Sequence, residues 1–335
     1  MTALRYGLKL LTPLIGLASL ATVAHAEVSL RIASEEIFAD PPKVAAQTAL
    51  EYLDRRLPEV TDGEVQVDLY PNAALGSEKE LIRSVGQGTV DATVMSPGNA
   101  AGMIPEVQLF SASYLFNSYD HVRRVIEDDA FFEAMQKVVA DKEAGFQLVG
   151  IGITGTRNFY NRERVVDSME ALEGLKMRVM SSPTEFKVWS TLGTLPTNIP
   201  APEIYTSIQT GVVDAGESSL PAIAGNKYYE VAPNITLTHH QFNLHLLLLG
   251  DAALARIPEE HREAVLRTFR EAGIEEIEAA IELSEKVLKS LREQPGVTVT
   301  KVDTKPFADK LRSVQDEVAE DLGVEHLLQM IRSKE

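Results

Sequence analysis

Two arginines lie in stretches of the sequence that carry few other charges. Arg157 stands in the segment Gly155-Thr-Arg-Asn-Phe159, and Arg178 stands in Leu175-Lys-Met-Arg-Val-Met180. A guanidinium at a strand end offers a planar fork that matches one carboxylate. In an acidic protein a buried arginine needs a partner, because an unpaired buried charge is strongly destabilising. That partner is either an anionic ligand or an internal Asp or Glu, and the residues alone leave both alternatives open.

A glycine run, Gly150-Ile-Gly152-Ile-Thr-Gly155, has the G-x-G-x-x-G spacing of a dinucleotide site. Such a site needs a helix directly after the last glycine, because the pyrophosphate binds at the helix N-terminus. The segment that follows, 156–166 (TRNFYNRERVV), has no 3.6-residue apolar stripe. We therefore predict a strand end with close backbone packing rather than a nucleotide site.

No catalytic or metal-binding constellation stands out. His239, His240 and His245 are close in sequence and suggest a metal, but no carboxylate lies among them and no HExxH motif occurs, so we predict ordinary strand and loop histidines. There is no G-x-S-x-G elbow. The absence of cysteine excludes a zinc–thiolate site and a cysteine nucleophile. We expect neither a metal nor a cofactor.

The first residues have the layout of a secretory signal peptide. Arg5 and Lys9 precede an apolar run from Leu10 to Ala24, and Ala24-His25-Ala26 is a typical cleavage site. The run is too short to span a bilayer comfortably. We predict that residues 1–26 are a cleaved signal peptide and that the protein is exported; an uncleaved anchor is the alternative.

Removing this segment removes two cations and no acids, so the net charge changes from -17 to -19. A protein this acidic repels nucleic acid and anionic lipid. About 310 residues would remain, a length that indicates about two domains.

Strand and helix signals alternate along the rest of the chain. Predicted strands cover 29–34, 64–70, 91–96, 146–153, 174–180 and 212–215; predicted helices cover 42–57, a segment opened by the capping box Ser77–Glu80, 167–172, a segment capped by Ser182-Pro183, 202–209, 258–293, and one or two helices in 305–332. The strand–helix–strand order predicts a parallel sheet. The 258–293 helix would be roughly 50 Å long, which predicts a helix that runs along both lobes; a coiled-coil helix is the alternative.

A set of short motifs occurs in order along the chain after residue 26. The motifs are Leu69-Tyr-Pro71 with Leu75-Gly-Ser-Glu78, Gly88-Thr-Val-Asp91, Glu170–Val179 (EALEGLKMRV), Leu192-Gly193 to Pro196 with Glu203-Ile-Tyr205, Ser207–Asp214 (SIQTGVVD), and Tyr229-Glu-Val231 with Thr238-His-His240. Each motif alone is weak, whereas the ordered set, which covers nearly all of this part of the chain, resembles one known family, the DctP-type solute-binding proteins of tripartite ATP-independent periplasmic (TRAP) transporters.

The resemblance implies a two-lobed, hinged α/β periplasmic binding protein of the TRAP type, with the long helix spanning both lobes. Lobe I would comprise residues 27–154 and about 244–283, and lobe II residues 155–243 and about 284–335. Such a protein is not an enzyme. It would capture a small organic-acid anion, of the sugar-acid or C4-dicarboxylate type, by lobe closure in the periplasm. It would then deliver the anion, as a monomer without nucleic-acid partners, to a small and a large integral membrane subunit. An exported binding protein for a non-carboxylate ligand and an exported nucleotide-dependent enzyme are the alternatives.

The resemblance also implies the binding residues. Arg178 matches the carboxylate-binding arginine, and Arg157 matches a second arginine that assists it. Ser218 stands where many members carry asparagine. The other candidate ligand-binding residues are Ser96, Asn99, Asn198 and Glu35. A pocket with two cationic groups would suit a monocarboxylate with hydroxyls or a small dicarboxylate.

Overall fold

The computed structural model describes residues 28–39, 44–180, 182–200 and 203–335, so the predicted signal peptide lies outside the described residues. The strands are β1 Val28–Ala33, β2 Val65–Tyr70, β3 Ala92–Met95, β4 Phe146–Asn161, β5 Lys176–Val179, β6 Leu195–Asn198, β7 Ala215–Ser219, β8 Asn234–Gly250 and β9 Thr298–Lys301. The helices are α1 Ala45–Val60, α2 Glu78–Gly86, α3 Pro97–Ala100, α4 Tyr119–Ile126, α5 Asp129–Ala140, α6 Pro183–Thr191, α7 Ile204–Gln209, α8 Leu220–Gly225, α9 Asp251–Arg256, α10 Glu259–Glu293, α11 Lys305–Leu322 and α12 Glu325–Arg332.

The described strands form one sheet with the order β2-β1-β3-β8-β4-β7-β5-β6, and β9 pairs with β8. β1 pairs in parallel with β2 and β3, and β5 pairs in parallel with β6 and β7. The prediction of a parallel sheet is therefore confirmed toward both edges. It is wrong at the centre, where β3–β8, β8–β4 and β4–β7 are antiparallel. The local βαβ signal could not show that two long strands cross between the halves.

β4 and β8 join the two lobes. Their antiparallel pairing runs from Phe146–Gly250 to Asn161–Asn234, with register shifts between Leu148 and Gly150, Ile153 and Thr156, and Arg157 and Phe159. The first half of β4 lies beside the β1–β3 strands, and the second half lies beside β7 and β5. The result is the expected two-lobed α/β architecture. The exact lobe boundaries stay a prediction, although one register shift lies at the predicted 154/155 boundary.

The 35-residue helix α10 packs against α1 and β4 in the first half and against α8 and β9 in the second half. It confirms the prediction of one helix along both lobes. Its close approach to β4 explains the glycine run: a Cβ on Gly150 would lie 2.6 Å from the Phe269 carbonyl oxygen, and a Cβ on Gly152 would collide with the Glu276 carboxylate. After Gly155 the chain continues as strand to Asn161, with no helix. The nucleotide interpretation is therefore excluded, and the packing interpretation is confirmed.

Local capping signals position two helices that matter for the site. Ser77 and Glu80 form the predicted capping box at the start of α2. The Ser182 side chain accepts from the Glu185 backbone N–H at the start of α6, where Pro183 takes the first position. In the described part of the chain, no helix combines the length and apolarity required to cross a bilayer.

Some elements differ from the sequence prediction. The strand predicted at 212–215 lies further along the chain: β7 begins at Ala215 and ends at Ser219. It continues through polar residues because they pair with β4. β4 is twice as long as predicted, and the 17-residue β8 was not predicted. α12 packs on α5 of the first lobe, and α11 packs on both α6 and the 105–111 turn.

Candidate functional site

A cavity of about 560 Å³ lies between the two lobes. The first lobe contributes α2, α3 and the 105–111 turn, and the second lobe contributes the end of β5 and the start of α6. The middle of β8 contributes Gln241, Asn243 and Leu244. The polar and charged lining residues are Lys79, Arg83, Ser96, Asn99, Gln108, Ser111, Ser182, Glu185, Gln241 and Asn243.

Ser96 and Asn99, two of the predicted ligand-binding residues, line this cavity; that they bind a ligand stays a prediction. Ser96 is the N-cap of α3, directly after β3, and Pro97 fixes the first turn of that helix. Both side chains donate to one oxygen of Glu78: Ser96 Oγ at 2.7 Å and Asn99 Nδ2 at 2.9 Å. The Ser96 backbone N–H donates to the same oxygen at 3.0 Å. Glu78 is itself buried and holds this wall of the cavity in place.

Arg178 is buried at 5% exposure on β5, two residues before the cavity-lining Met180. Its Nε donates to the Ile199 carbonyl oxygen at 2.9 Å. Among the residues that the structure describes, no Asp or Glu forms an ion pair with it within 4 Å. A buried guanidinium held only by a carbonyl is an incomplete arrangement, because the charge is desolvated without a counter-charge in contact.

Arg157 has the internal partner that Arg178 lacks. Its Nε and one terminal nitrogen donate to the two carboxylate oxygens of Glu217, the second contact being 2.7 Å long. Both residues are buried. Burial by itself would raise the pKa of Glu217, but the charge of Arg157 and the hydrogen bonds from His240 and Arg157 together outweigh burial, and the pKa is lowered. Arg157 is thus neutralised inside the protein, and this geometry realises the alternative of an internal salt bridge for one of the two arginines.

His240 lies against the same carboxylate, with its Nε2 3.4 Å from Glu217 and its Nδ1 2.8 Å from Thr238 Oγ1. Burial lowers the pKa of His240, in spite of Glu217, so the ring is neutral near pH 7. Trp189 packs edge-on against this ring, with the centroids 5.2 Å apart. The Arg157–Glu217 pair is therefore enclosed by packed side chains.

Glu185 is a titratable residue of the cavity lining that the sequence analysis did not identify. It lines the cavity from α6 at 2% exposure. One carboxyl oxygen accepts from the Met180 N–H at 3.1 Å, and the other has no hydrogen-bond partner among the described residues. Burial, with a further contribution from the charge of Glu217, raises the pKa of Glu185 to about 7, against the opposing effects of Arg157 and Arg178.

Ser96 and Asn99 are the predicted site residues that line the cavity; Arg178 and Arg157 are not among its lining residues, and neither are the remaining three. Ser218 is half-buried on β7, opposite Asn158 of β4. Asn198 is exposed at the end of β6, and its amide donates to the Val179 carbonyl oxygen at 3.4 Å. Glu35 is exposed and accepts from the Glu78 backbone N–H at 2.8 Å, so its described contact with the cavity wall is through Glu78.

A second charged cluster lies behind the wall. The Nδ1 of His245 is 2.7 Å from Glu276, and single ligand atoms of Glu36, Glu78 and His245 lie within 4.8 Å of one another, a spacing that suits a cation. Burial by itself would lower the pKa of His245, but Glu276, together with the charges of Glu36 and Glu78, outweighs burial and raises the pKa to about 9. The protonated imidazole therefore supplies a positive charge here itself. Sequence spacing had placed no carboxylate near the histidines, whereas the fold brings three.

Sequence reasoning missed the roles of three residues. Glu78 was noticed only as part of a turn motif, Glu185 is typical of a helix first turn, and Gln241 belongs to a strand that was not predicted. No local signal distinguishes them, because each reaches the cavity only through packing between segments distant in sequence.

Comparison with known proteins gives a consistent result. The family model DctP, described as bacterial extracellular solute-binding protein, family 7, matches residues 38–321. A solute-binding protein of Sulfitobacter sp. is 31% identical over 318 residues, which are 93% of this chain and 93% of that protein. The 2,3-diketo-L-gulonate-binding periplasmic protein YiaO of Escherichia coli is 28% identical over 313 residues, 92% of each chain.

A solved structure with a similar level of sequence identity has the same fold. The crystal structure of a TRAP periplasmic solute-binding protein from Sulfitobacter sp., with bound α-D-taluronate, has a TM-score of 0.79 and 29% identity. It covers 91% of this chain and 97% of that chain.

Proposed function

The chain belongs to the DctP family of bacterial extracellular solute-binding proteins, which serve TRAP transporters, and we propose that it captures a sugar-acid anion in the interlobe cavity, with the carboxylate on Arg178. The observation that carries this proposal is a buried guanidinium, beside the cavity, that has no acidic partner among the described residues. Arg157 has such a partner in Glu217. The ligand carboxylate would supply the missing counter-charge.

The energetics suit a reversible receptor. A bidentate pair between a guanidinium and a carboxylate makes two charge-assisted hydrogen bonds, each worth about 1.5–3 kcal/mol. Micromolar affinity corresponds to about 8 kcal/mol. One such pair and several hydroxyl contacts along the cavity are enough to reach it. Closure of the two lobes about β4 and β8 would exclude water and strengthen the ion pair.

The relatives support a sugar acid as the ligand class. The Sulfitobacter structure holds taluronate, and the E. coli relative is described as binding 2,3-diketo-L-gulonate. Both compounds are sugar acids with a single carboxylate. The described cavity offers many neutral polar groups, including Ser96, Asn99, Gln108, Gln241 and Asn243, which suit hydroxyls.

The cellular role follows from the class. Export by cleavage after Ala26 would place the protein in the periplasm as a monomer, where it would pass its ligand to a small and a large integral membrane subunit. Mass spectrometry of protein recovered from the periplasm tests the cleavage site: the mature chain should begin at Glu27.

The test of the ligand site is isothermal titration calorimetry with D-galacturonate, D-glucuronate and D-galactonate. Arg178→Ala should weaken the best of these ligands by at least about 30-fold, since one truncated partner of a buried pair costs about 2–5 kcal/mol. Arg178→Lys keeps the charge but loses the fork, so it should fall between wild type and Arg178→Ala. Arg267→Ala, on an exposed face of α10, is the control and should bind like wild type. Wild-type affinity in both Arg178 variants would contradict the assignment.

A further inference from the structure

The wall formed by Ser96 and Asn99 has a defined hydrogen-bond polarity. Ser96 Oγ has one proton, and it goes to Glu78. Asn99 uses one of its two amide protons on the same oxygen of Glu78. Toward the cavity Ser96 can therefore only accept a hydrogen bond, while Asn99 keeps its carbonyl oxygen and one N–H.

Hydroxyl groups fit this polarity and a carboxylate does not. A hydroxyl can donate to Ser96 Oγ or to the Asn99 carbonyl oxygen and can also accept from the remaining N–H. An ionised carboxylate can only accept hydrogen bonds, so its oxygens would face Ser96 Oγ and the Asn99 carbonyl oxygen without a proton between them. The carboxylate could form one hydrogen bond to this wall, with the remaining N–H of Asn99.

Negative charge behind the Ser96–Asn99 wall also disfavours a ligand carboxylate at this wall. Glu78 lies in contact with both side chains, and Glu35 contacts Glu78 through a backbone N–H. Glu36 and the buried Glu276 lie on the two sides of His245, the one cation that we find within this cluster of described residues. Burial, with the charges of the neighbouring carboxylates, raises the pKa of Glu36, as expected where negative charge is crowded. Four carboxylates with one imidazolium leave this end of the cavity negative.

Two cations also line the cavity from α2, and they compete with this effect. Lys79 and Arg83 are both exposed, so water and salt screen their charges. The Ser96–Asn99 wall is backed by buried groups, where screening is weaker. For a ligand bound between Arg178 and this wall, the hydrogen-bond direction and the negative charge of the wall should therefore outweigh the attraction of Lys79 and Arg83.

We infer that the Ser96–Asn99 wall binds hydroxyl groups of the ligand, and that Glu78, acting through these two side chains as a positioning residue, makes the site select a sugar monocarboxylate over the corresponding dicarboxylate. This inference rests on the proposed function, because it takes the first carboxylate to lie on Arg178. It identifies the ligand class more narrowly: one acid group at the second lobe and a polyol end at the first.

The experiment compares galactonate with galactarate, open-chain acids that differ only in whether carbon 6 is a hydroxymethyl or a carboxylate group; D-galacturonate is a third probe. Dissociation constants are measured by calorimetry at one pH and ionic strength. Wild type should bind galactarate at least ten-fold more weakly than the better of the two monocarboxylates. Glu78→Gln removes the charge, and its amide can donate as well as accept, so Ser96 and Asn99 are no longer forced to donate toward residue 78. In this variant the ratio of the galactarate dissociation constant to that of the better monocarboxylate should fall at least five-fold.

Glu80→Gln is the matched control. It removes a charge from the same helix, but Glu80 contacts Ser77 rather than the cavity wall, so the ratio should stay at the wild-type value. Thermal melting checks that each variant folds. If Glu78→Gln does not fold, Ser96→Ala replaces it: loss of the acceptor should weaken the monocarboxylate several-fold and leave galactarate unchanged.

The outcomes separate the two proposals. Equal or tighter binding of galactarate by wild type overturns the inference and leaves the sugar-acid function in place. An unchanged ratio in folded Glu78→Gln, or equal losses for both ligands in Ser96→Ala, overturns it as well. If neither monocarboxylate binds, the proposed function is itself wrong, and the inference is wrong with it.

Discussion

The buried pair Arg157–Glu217 should be a major source of stability for the second lobe. In Glu217→Gln the side chain keeps its shape but loses its charge, and Arg157 is left as a buried cation without the carboxylate that it contacts. Two charge-assisted bonds at about 1.5–3 kcal/mol each, and the usual loss of 3–5 kcal/mol when one partner of a buried pair is removed, agree on a cost of about 3–5 kcal/mol in the free energy of unfolding.

A double variant separates the pair from its surroundings. Arg157→Met with Glu217→Leu removes both charges and fills a similar volume with apolar groups, so it should be more stable than Glu217→Leu alone. Hydrophobic replacements of buried pairs are often neutral or stabilising. The coupling free energy between the two positions should exceed about 1 kcal/mol.

Urea denaturation followed by fluorescence is a suitable assay. Trp189 is the only tryptophan in the sequence and packs against His240, which contacts Glu217, so its emission reports on this region. The pKa of Glu217 is lowered in the folded state. Its contribution is therefore present above its ordinary pKa and lost as pH falls, and the gap between wild type and Glu217→Gln should shrink in acid.

Two results would refute this reasoning. If Glu217→Gln unfolds at the same urea concentration as wild type, the pair does not stabilise the lobe. If the costs of the two single changes simply add in the double variant, the two side chains do not interact as the distances indicate.

Three further predictions concern the groups around the cavity. Because the pKa of His245 is raised to about 9 from an ordinary 6.5, its contribution of about 3 kcal/mol should be complete below pH 6.5 and lost as pH rises to 9, so urea curves of wild type and His245→Gln should converge over that range. Because the pKa of Glu185 is raised to about 7, its ionisation disfavours folding as pH rises from 4.5 to 7. Glu185→Gln lacks this ionisation, so its free energy of unfolding relative to wild type should be higher at pH 8 than at pH 5. Gly152→Ala should lose about 1–3 kcal/mol in urea denaturation, because its Cβ collides with Glu276, whereas Gly225→Ala, with open space around its Cβ, should stay within about 0.5 kcal/mol of wild type.

Local patterns predicted most of the elements correctly. The capping box at Ser77, the cap at Ser182 and the apolar stripe of α10 each depend on residues within a few turns of chain, and each is present where predicted. Elements without such signals were missed or misjudged, as β8 and the length of β4 show. Their extent depends on pairing between segments about 90 residues apart in sequence.

The candidate site could be predicted only in part. The ordered motifs identified the family. They also suggested two arginines, Ser96 and Asn99 as ligand contacts, and of these Ser96 and Asn99 line the cavity. They treated Arg157 and Arg178 alike, whereas the structure pairs Arg157 with a glutamate 60 residues away and, among the residues it describes, pairs Arg178 with the Ile199 carbonyl and with no carboxylate.

The class of protein, the two-lobed architecture and the starts of the capped helices could all be predicted from the order of the residues. These follow from periodicity and capping, which act between near neighbours, and from motif order. Which charged side chains are neutralised by a partner could not be predicted in this way and became clear from the folded arrangement. A side chain's partner depends on segments that packing brings together, such as Glu78 against Ser96 or Glu276 against His245. The strength of such a contact depends on burial, which no local pattern encodes.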